Sequence, residues 1–387
     1  MRIFFLTKSY YPSAGGVQAV TKYLAEGLVD KGHIVTVVTS NEGRYPKTDT
    51  INGVNVVRFK HANFLKRNFG DKKGFINYLL ANADKDTVVI SVCAQAFVSE
   101  WLFSVVDKLP AKKILYMHGM REERVDKAKL GSSKEFFKEL FLSLHWNRYF
   151  KKHWKQILKF DGCVHLFKND SSYNYFVKHG FKKNYVIENS CDEAFFSQKA
   201  SEDITGKFGI NKPYFIQVAN YDFRKNQVFS IQAFSLIEKH EWDLVLIGSR
   251  KNKYSDKIER VARSLPPNVA TKLHILYGVS REDTINLIKN STACLLSSRV
   301  EFLPISLIEG LACGKPFIST HCGVVAELCG GQVVNCVEEM SYWMTYFCEN
   351  PEYVNSLGEI GRRFVGDKMR LQDKIDSLEA ICLQSEE

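Results

Sequence analysis

The chain has 387 residues, 45% hydrophobic and 25% charged, with ten cysteines and a formal net charge of +10. At roughly 100–200 residues per domain, that length accommodates two or three domains, and the composition is that of an ordinary globular protein. A basic balance suits nucleic acid, an anionic membrane surface or phosphate-bearing substrates, and does not choose among them.

No run of about 18 apolar residues occurs, which excludes a spanning helix of the usual kind. The opening MRIFFLTKSYYPSAGG is too briefly apolar for a secretory leader and enters a strand pattern at once, so a cytoplasmic location is expected. The cysteines form no CxxC pair, which speaks against a zinc knuckle or a redox motif. Several, such as Cys294 in ACLLS, stand in apolar runs, and reduced, buried thiols are expected.

In chain order, IFFL (3–6), IVTVVT (34–39), VNVVRF (54–59), TVVISV (87–92) and KILYMH (113–118) read as strands. They are continuous and β-branched, as parallel strands buried on both faces are. Between the first two, Val20, Tyr23, Leu24 and Leu28 mark a helix that Gly32 closes. Gly15 and Gly16 lie in the strand-to-helix turn, where absent side chains allow close approach to a phosphate; a plain turn is the alternative. DKD at 84–86 precedes a strand at its amino end and reads as a solvated turn rather than a metal motif.

The stretch 134–160 carries seven Lys or Arg against two Glu, interleaved with Phe, Trp, Tyr and Leu. One reading is a helix at an anionic membrane surface. The other is helices packed on the first domain with solvated lysines. No nucleic-acid module is found, so no nucleic-acid partner is expected.

The polar run 197–213, with two glycines and a proline, is the candidate linker. Strands resume with YFIQVA (214–219), LVLIG (244–248), LHILYG (273–278), ACLLS (293–297) and PFIST (316–320). The fold class is therefore α/β: two doubly wound, Rossmann-like domains at 1–205 and 206–365. They are expected to face each other across a cleft. A C-terminal helix at 366–387 carries Leu371, Ile375, Leu378 and Cys382 at helical spacing and is expected to pack back on the first domain.

EFLPISLIEG (301–310) follows the strand ACLLS. Pro304 suits the first turn of a helix, which leaves Glu301 in the preceding loop and Glu309 inside the helix. Eight helical residues span about 12 Å. Carboxylate pairs that hydrolyse a glycosidic bond stand at most about 9.5 Å apart. The spacing suits two grips on one elongated ligand, with a helix N-terminus between them for an anion. In DFRKNQ (222–227), after the first strand of the second domain, Asp222 and Asn226 permit a turn in which Arg224 and Lys225 converge; a solvated basic turn is the alternative.

SSRVEFLPISLIEGLACGKPFIST (297–320) resembles the E-x7-E signature of family 4 glycosyltransferases. It keeps Glu301, Pro304, Leu307, Ile308, Glu309, Ala312, Gly314 and Pro316, with Phe302 where Gly is usual and Leu303 where Phe is usual. The resemblance extends, in order, through the YPSAGG turn, KGHIV, INGVNVVRF, MHG (117–119), VIENSCDEAFF and LVLIGSR. It implies a GT-B fold and a retaining, metal-independent transfer from a nucleotide sugar. No cofactor is expected, the donor being a substrate.

By the resemblance, Glu301 meets donor-sugar hydroxyls and Glu309 the ribose. Pro304, Ile305 and Ser306 are donor-binding, and Gly15 and Gly16 approach the diphosphate or the acceptor. Lys225 is the phosphate lysine, and Arg224 replaces an arginine that the family often carries where Asn220 stands. Gly278 and Val279 fall in the loop that holds the base. His118 meets the donor sugar by hydrogen bonding, a structural histidine being the alternative, and no chemistry is expected of His33. The implied partners are a UDP- or GDP-sugar and a glycan or lipid-linked acceptor, to which a hexose or N-acetylhexosamine is moved in surface polysaccharide biosynthesis. If 134–160 touches membrane, the protein works at its cytoplasmic face. The rival readings are a nucleotide-sugar epimerase and a non-catalytic nucleotide-sugar-binding partner of another transferase.

Overall fold

A computed structural model of the chain describes all residues except 14, 42–44, 65–66, 121–132, 169, 202, 211–212, 239–240 and 385–387; within the helix at 133–157, the side chains of 133–135 and 138–139 also lie outside the description. Two compact units are present, Met1–Glu188 with Gln372–Glu387, and Asn189–Leu371.

The first unit runs β1 (Arg2–Leu6), α1 (Gly16–Asp30), β2 (Ile34–Asn41), β3 (Thr48–Ile51), β4 (Val54–Phe64), β5 (Arg67–Gly70), α2 (Lys72–Asn82), β6 (Thr87–Val92) and α3 (Phe97–Phe103). It continues with β7 (Lys112–Tyr116), α4 (Ser133–Ile157), β8 (Gly162–His165), α5 (Ser171–Lys178) and β9 (Asn184–Val186). Its sheet has the order β3-β4-β2-β1-β6-β7-β8-β9, with β5 on β4. β3 and β5 are antiparallel to β4, and the other pairs are parallel. The central strands are buried on both faces, as their unbroken apolar runs require; Ile3, Val37, Val89 and Leu115 have no exposed surface.

The second unit contains α6 (Ala194–Ser197), α7 (Ile204–Lys207), β10 (Tyr214–Val218), α8 (Gln227–Ser235), β11 (Asp243–Gly248), α9 (Lys253–Arg263), α10 (Pro267–Ala270), β12 (Leu273–Tyr277) and α11 (Arg281–Asn290). Then come β13 (Ala293–Leu296), α12 (Ile305–Ala312), β14 (Phe317–Thr320), β15 (Gly331–Val334), α13 (Val337–Glu349) and α14 (Pro351–Lys368). Its sheet, β12-β11-β10-β13-β14-β15, is parallel throughout.

The units divide after Glu188, not within the polar run at 197–213. The residues in between pack on the second unit: Asn189 Nδ2 donates to the Leu303 carbonyl at 2.8 Å, and Phe195 and Ile204 are buried. Polarity marks exposed loops but does not say to which body a loop is bound.

The last helix, α15 (Leu371–Leu383), belongs from Gln372 onward to the first unit. Ile375, Leu378, Ile381 and Cys382 form its buried stripe. A Cβ on Gly27 of α1 would collide with the Ile375 side chain, so the glycine sets how closely the two helices approach. Lys112 Nζ donates to the carbonyls of Ile381 at 2.5 Å and Gln384 at 2.7 Å, a cation at the negative end of the helix. His33 Nε2 pairs with Glu379 Oε1 at 2.6 Å, so this histidine anchors α15.

All ten cysteines are free thiols. Cys163, Cys191, Cys294, Cys313, Cys322 and Cys382 are buried, and Cys329 is exposed. Asp84 makes a capped turn before β6, its Oδ1 accepting from the Asp86 N–H at 3.1 Å and from Thr87 Oγ1 at 2.8 Å.

Candidate functional site

In the second unit the strand order reverses between β10 and β13. Ligands of doubly wound sheets bind outside the carboxyl ends of the strands at such a reversal. The loops leaving these two strands, 219–226 and 297–304, are laced together. Gln217 Nε2 donates to Ser297 Oγ at 2.9 Å. The same hydroxyl lies 3.0 Å from the carbonyl oxygens of Lys225 and Asn226, and the Arg299 N–H donates to the Arg224 carbonyl at 2.7 Å.

Local chemistry shapes the first loop. Asp222 Oδ1 accepts from the Arg224 N–H at 2.8 Å, and Asn226 takes a left-handed backbone with φ of 50°. Both are habits of Asp and Asn in turns. The turn aims Lys225 at Glu301: Nζ donates to Glu301 Oε1, which also accepts from Ser298 Oγ at 2.8 Å. Arg224 bonds a different carboxylate from Lys225. Its Nε donates to Asp222 Oδ1 at 3.0 Å, and its side chain is 66% exposed. The carboxylate that makes the turn also holds the neighbouring guanidinium.

Helix α12 begins at Ile305, with Pro304 as its cap residue at φ −73° and ψ 113°. This is one residue later than the expected position of Pro304 inside the first turn. The extended ψ of Pro304 keeps it outside the helix, while its carbonyl accepts from the Leu307 N–H at 3.2 Å. Pro304 gives this terminus no side-chain cap. Ile305 and Ser306, both half-buried, therefore present the positive end of the helix.

Glu309 is 5% exposed on the buried side of α12. Arg281 Nη1 lies 2.8 Å from its Oε1. Burial raises this carboxyl above the usual range, Arg281 offsets part of the rise, and Asp192 adds to it. Arg281 starts α11, two residues after the half-buried Val279. The turn before it depends on Gly278 at φ +60°, whose N–H donates to the Gly248 carbonyl at 3.0 Å. The guanidinium also stacks over the Phe195 ring, 4.6 Å from its centroid. Glu301 and Glu309 thus have separate cations.

Sequence reasoning did not single out Arg281, Ser298, Arg299 or Gly323. Arg299 stacks over Phe223 at 4.5 Å and contacts Asn226 Oδ1 at 3.3 Å. Gly323, after β14, has φ +53°, and a Cβ there would collide with the carbonyl oxygens of Glu301 and Phe302. The Val324 N–H donates to the Phe302 carbonyl at 3.1 Å. Ser298 and Arg299 stand inside SSRVEF, next to Glu301 in the chain; Arg281 and Gly323 reach the site only through the fold.

In the first unit the order reverses between β1 and β6. Gly15 and Gly16 follow β1, and Gly15 caps α1 without a side-chain bond. A Cβ on Gly15 would collide with the Gln18 amide, whose Nε2 donates to Ser9 Oγ at 2.5 Å. His118 lies two residues past β7, half-buried, its ring stacked on Tyr116 at 4.9 Å. Burial pushes its imidazole down to about 4, which makes it neutral at physiological pH.

Residues 200–363 match the family described as Glycosyl transferases group 1. An uncharacterized 42.6 kDa protein in the cps region of Klebsiella pneumoniae is 38% identical over 64 residues, and that match covers 16% of this chain and 17% of the relative. Among solved structures, sucrose-phosphate synthase from Thermosynechococcus elongatus aligns over 98% of both chains with a TM-score of 0.77 and 14% identity. Anabaena HepE in complex with UDP-glucose aligns over 98% of this chain and 99% of its own, with a TM-score of 0.75 and 13% identity. These likenesses show the fold, GT-B with Rossmann-like units.

Proposed function

We propose that this chain is a retaining glycosyltransferase that moves a hexose or N-acetylhexosamine from a nucleotide sugar to a glycan or lipid-linked acceptor in surface polysaccharide biosynthesis. The observation that carries the reading is the Lys225–Glu301 pair beside the start of α12. A carboxylate for sugar hydroxyls, an ammonium for phosphate and a helix N-terminus for phosphate stand side by side there. The complex of HepE with UDP-glucose and the cps-region relative support the donor and the pathway class.

In this reading Glu301 accepts hydrogen bonds from the donor sugar, and Glu309 from the ribose. Lys225 and the N–H groups of Ile305 and Ser306 take up negative charge as the diphosphate leaves, the largest electrostatic task of the transfer. Arg224, exposed at the edge of the turn, adds positive potential. Val279 lies by the base, and Gly15 and Gly16 approach the diphosphate or acceptor. His118, neutral, donates or accepts one hydrogen bond at the sugar and carries no charge through the step.

The test starts from thermal stabilisation by UDP, GDP and ADP, because a bound nucleotide raises stability by mass action. Acceptor-dependent release of the matching nucleoside diphosphate, lost in Glu301→Ala, supports the reading. Product anomer analysis and turnover in a chelator test retention and metal independence. Stabilisation by none of the nucleotides, or epimer formation without acceptor, overturns it.

A further inference from the structure

Strand β4 runs on past its pairing with β2 and folds back through β5 as a two-stranded ribbon. Its antiparallel pairs are His61↔Gly70, Ala62↔Phe69, Asn63↔Asn68 and Phe64↔Arg67. Paired residues share a face and successive residues alternate, so His61, Asn63 and Asn68 lie on one side, and Ala62, Phe64, Arg67 and Phe69 on the other. Lys60 joins the second side by the same alternation. The first side is bound to the unit: the His61 ring stacks on Phe97 at 3.9 Å, His61 Nε2 lies 3.0 Å from Asn68 Oδ1, and Asn68 Nδ2 donates to Glu100 Oε2 at 2.6 Å. The second side faces solvent. Phe64 is 68% exposed and Phe69 is 52% exposed, and Lys60, Ala62 and Arg67 are exposed too. Two aromatic rings, diagonal neighbours across the ribbon, thus stand in water on an anchored support with a cation at each end. Folding gains nothing from that exposure, so the face calls for a ligand.

We propose that this face binds an acidic glycan, whose pyranose rings lie on Phe64 and Phe69 and whose carboxylates meet Lys60 and Arg67. The C–H faces of a sugar ring carry partial positive charge and rest on the negative face of an aromatic ring. A guanidinium and an ammonium bind carboxylates through charge-assisted hydrogen bonds. None of the five residues on this side is Asp or Glu, so the charge of the face complements an anion. Its place in the fold selects the glycan. β4 is parallel to β2, and β2 to β1, so the ribbon leaves the same edge of the sheet that carries Gly15, Gly16 and His118. Phe97 and Glu100, which anchor it, belong to α3, the helix that follows β6 at the reversal of strand order. β4 stands two strands from β1, about 10 Å along the edge. That is beyond the reacting sugar and within reach of the sugars joined to it. The inference rests on the reading of the chain as a glycosyltransferase and deepens it: the acceptor is an acidic glycan chain rather than a single sugar. Other occupants suit the face less. A bilayer entered from the tip of the ribbon would take in Arg67 beside Phe64. A second copy laid face to face would set cation against cation in either direction.

Binding of the full chain is measured, with no donor present, to a hyaluronan octasaccharide, which has a uronate in every repeat, to neutral maltooctaose, to a uridine octanucleotide and to phosphatidylglycerol vesicles. The uronate octasaccharide should bind best. Phe64→Ala with Phe69→Ala, which leaves the charge unchanged, should lower its affinity about tenfold or more. Lys60→Gln with Arg67→Gln should abolish the preference for the acidic over the neutral glycan. All four positions are exposed, so the variants should melt as the parent does. Absence of binding to the uronate octasaccharide at low salt overturns the proposal, as does equal binding by the parent and the phenylalanine variant, which would leave charge alone. Tighter binding of the octanucleotide or the vesicles, lost with the same phenylalanines, gives the face to another partner and also overturns it. Because no donor is present, stabilisation by a nucleotide without glycan binding sinks this proposal alone. Glycan binding at this face without stabilisation by any nucleotide keeps the platform and removes the transferase.

Discussion

Arg281, the first residue of α11, holds the carboxylate of Glu309, which α12 buries, at 2.8 Å. The pair joins two helices that flank the carboxyl side of one sheet. The charged and titratable groups that bear on Glu309 are Arg281, Asp192, Cys191, Cys294 and Cys313. Of these, Arg281 is the cation.

Replacing Arg281 by Gln therefore leaves a buried carboxylate without its counter-charge. The folded-state value of Glu309 already lies above its ordinary one, and loss of Arg281 raises it further. A raised value means that Glu309 is neutral and harmless below about pH 4.5 and costs stability as pH climbs through the folded value. The stability gap between parent and Arg281→Gln should widen from pH 5 to pH 8. At the upper end it should reach about 1–3 kcal/mol, below the figure for a fully buried pair because Arg281 is half-exposed. Urea unfolding at several pH values measures it. A gap that is flat with pH refutes the assignment.

Lys225 and Glu301 should behave differently. Their pair is partly open to solvent, with 30% and 13% of the two side chains exposed, so Lys225→Ala should shift stability by less than about 1 kcal/mol. If Lys225 stabilises the leaving diphosphate, kcat should fall about 10²–10³-fold. Steady-state rates with the matched nucleotide sugar, alongside a melting curve, separate the two effects. Unchanged kcat with raised KM would make Lys225 a ground-state binder only.

The sequence made much of this geometry legible. The long β-branched runs mark β1, β2, β4, β6 and β7 because strands buried on both faces must be apolar throughout. β3, β9 and β15 end their sheets and β5 pairs only with β4, each spanning three or four residues, and residues like these become strands because a sheet edge recruits them, not by their own preference. Glu301 and Lys225 lie in local motifs whose turn chemistry is written in Asp222, Asn226 and Pro304. The Arg281–Glu309 pair is not written locally. It depends on how α11 and α12 lie against each other, 28 positions apart in the chain, which no periodicity encodes.

His118 gives a pH test of another sign. Burial lowers its folded value to about 4, below the ordinary value near 6.5. Its contribution is therefore present above about pH 6.5 and is lost as pH falls toward 4. Acid should destabilise the parent more steeply over that window than His118→Asn. The imidazole Cε1–H resonance should stay at its neutral position from pH 8 down to 5.5. A titration centred near 6.5 would remove the basis for a neutral hydrogen-bonding role.

Gly323 tests whether the Glu301 loop is held by backbone rather than by side chains. Its left-handed φ disfavours any L side chain, and a Cβ would strike the carbonyl oxygens of Glu301 and Phe302. Neither oxygen can swing away as a flexible side chain would. In Gly323→Ala the loop must shift, at a cost of about 1–3 kcal/mol in strain. The displaced Glu301 should lose its joint bonding to Lys225 and Ser298. If Glu301 grips the donor sugar as proposed, turnover should fall much further than nucleotide binding, since a small misplacement at a reacting centre costs about 10²-fold. Calorimetric affinity for the nucleotide, measured beside kcat, decides it. Equal losses in both would mean that the loop has collapsed rather than shifted.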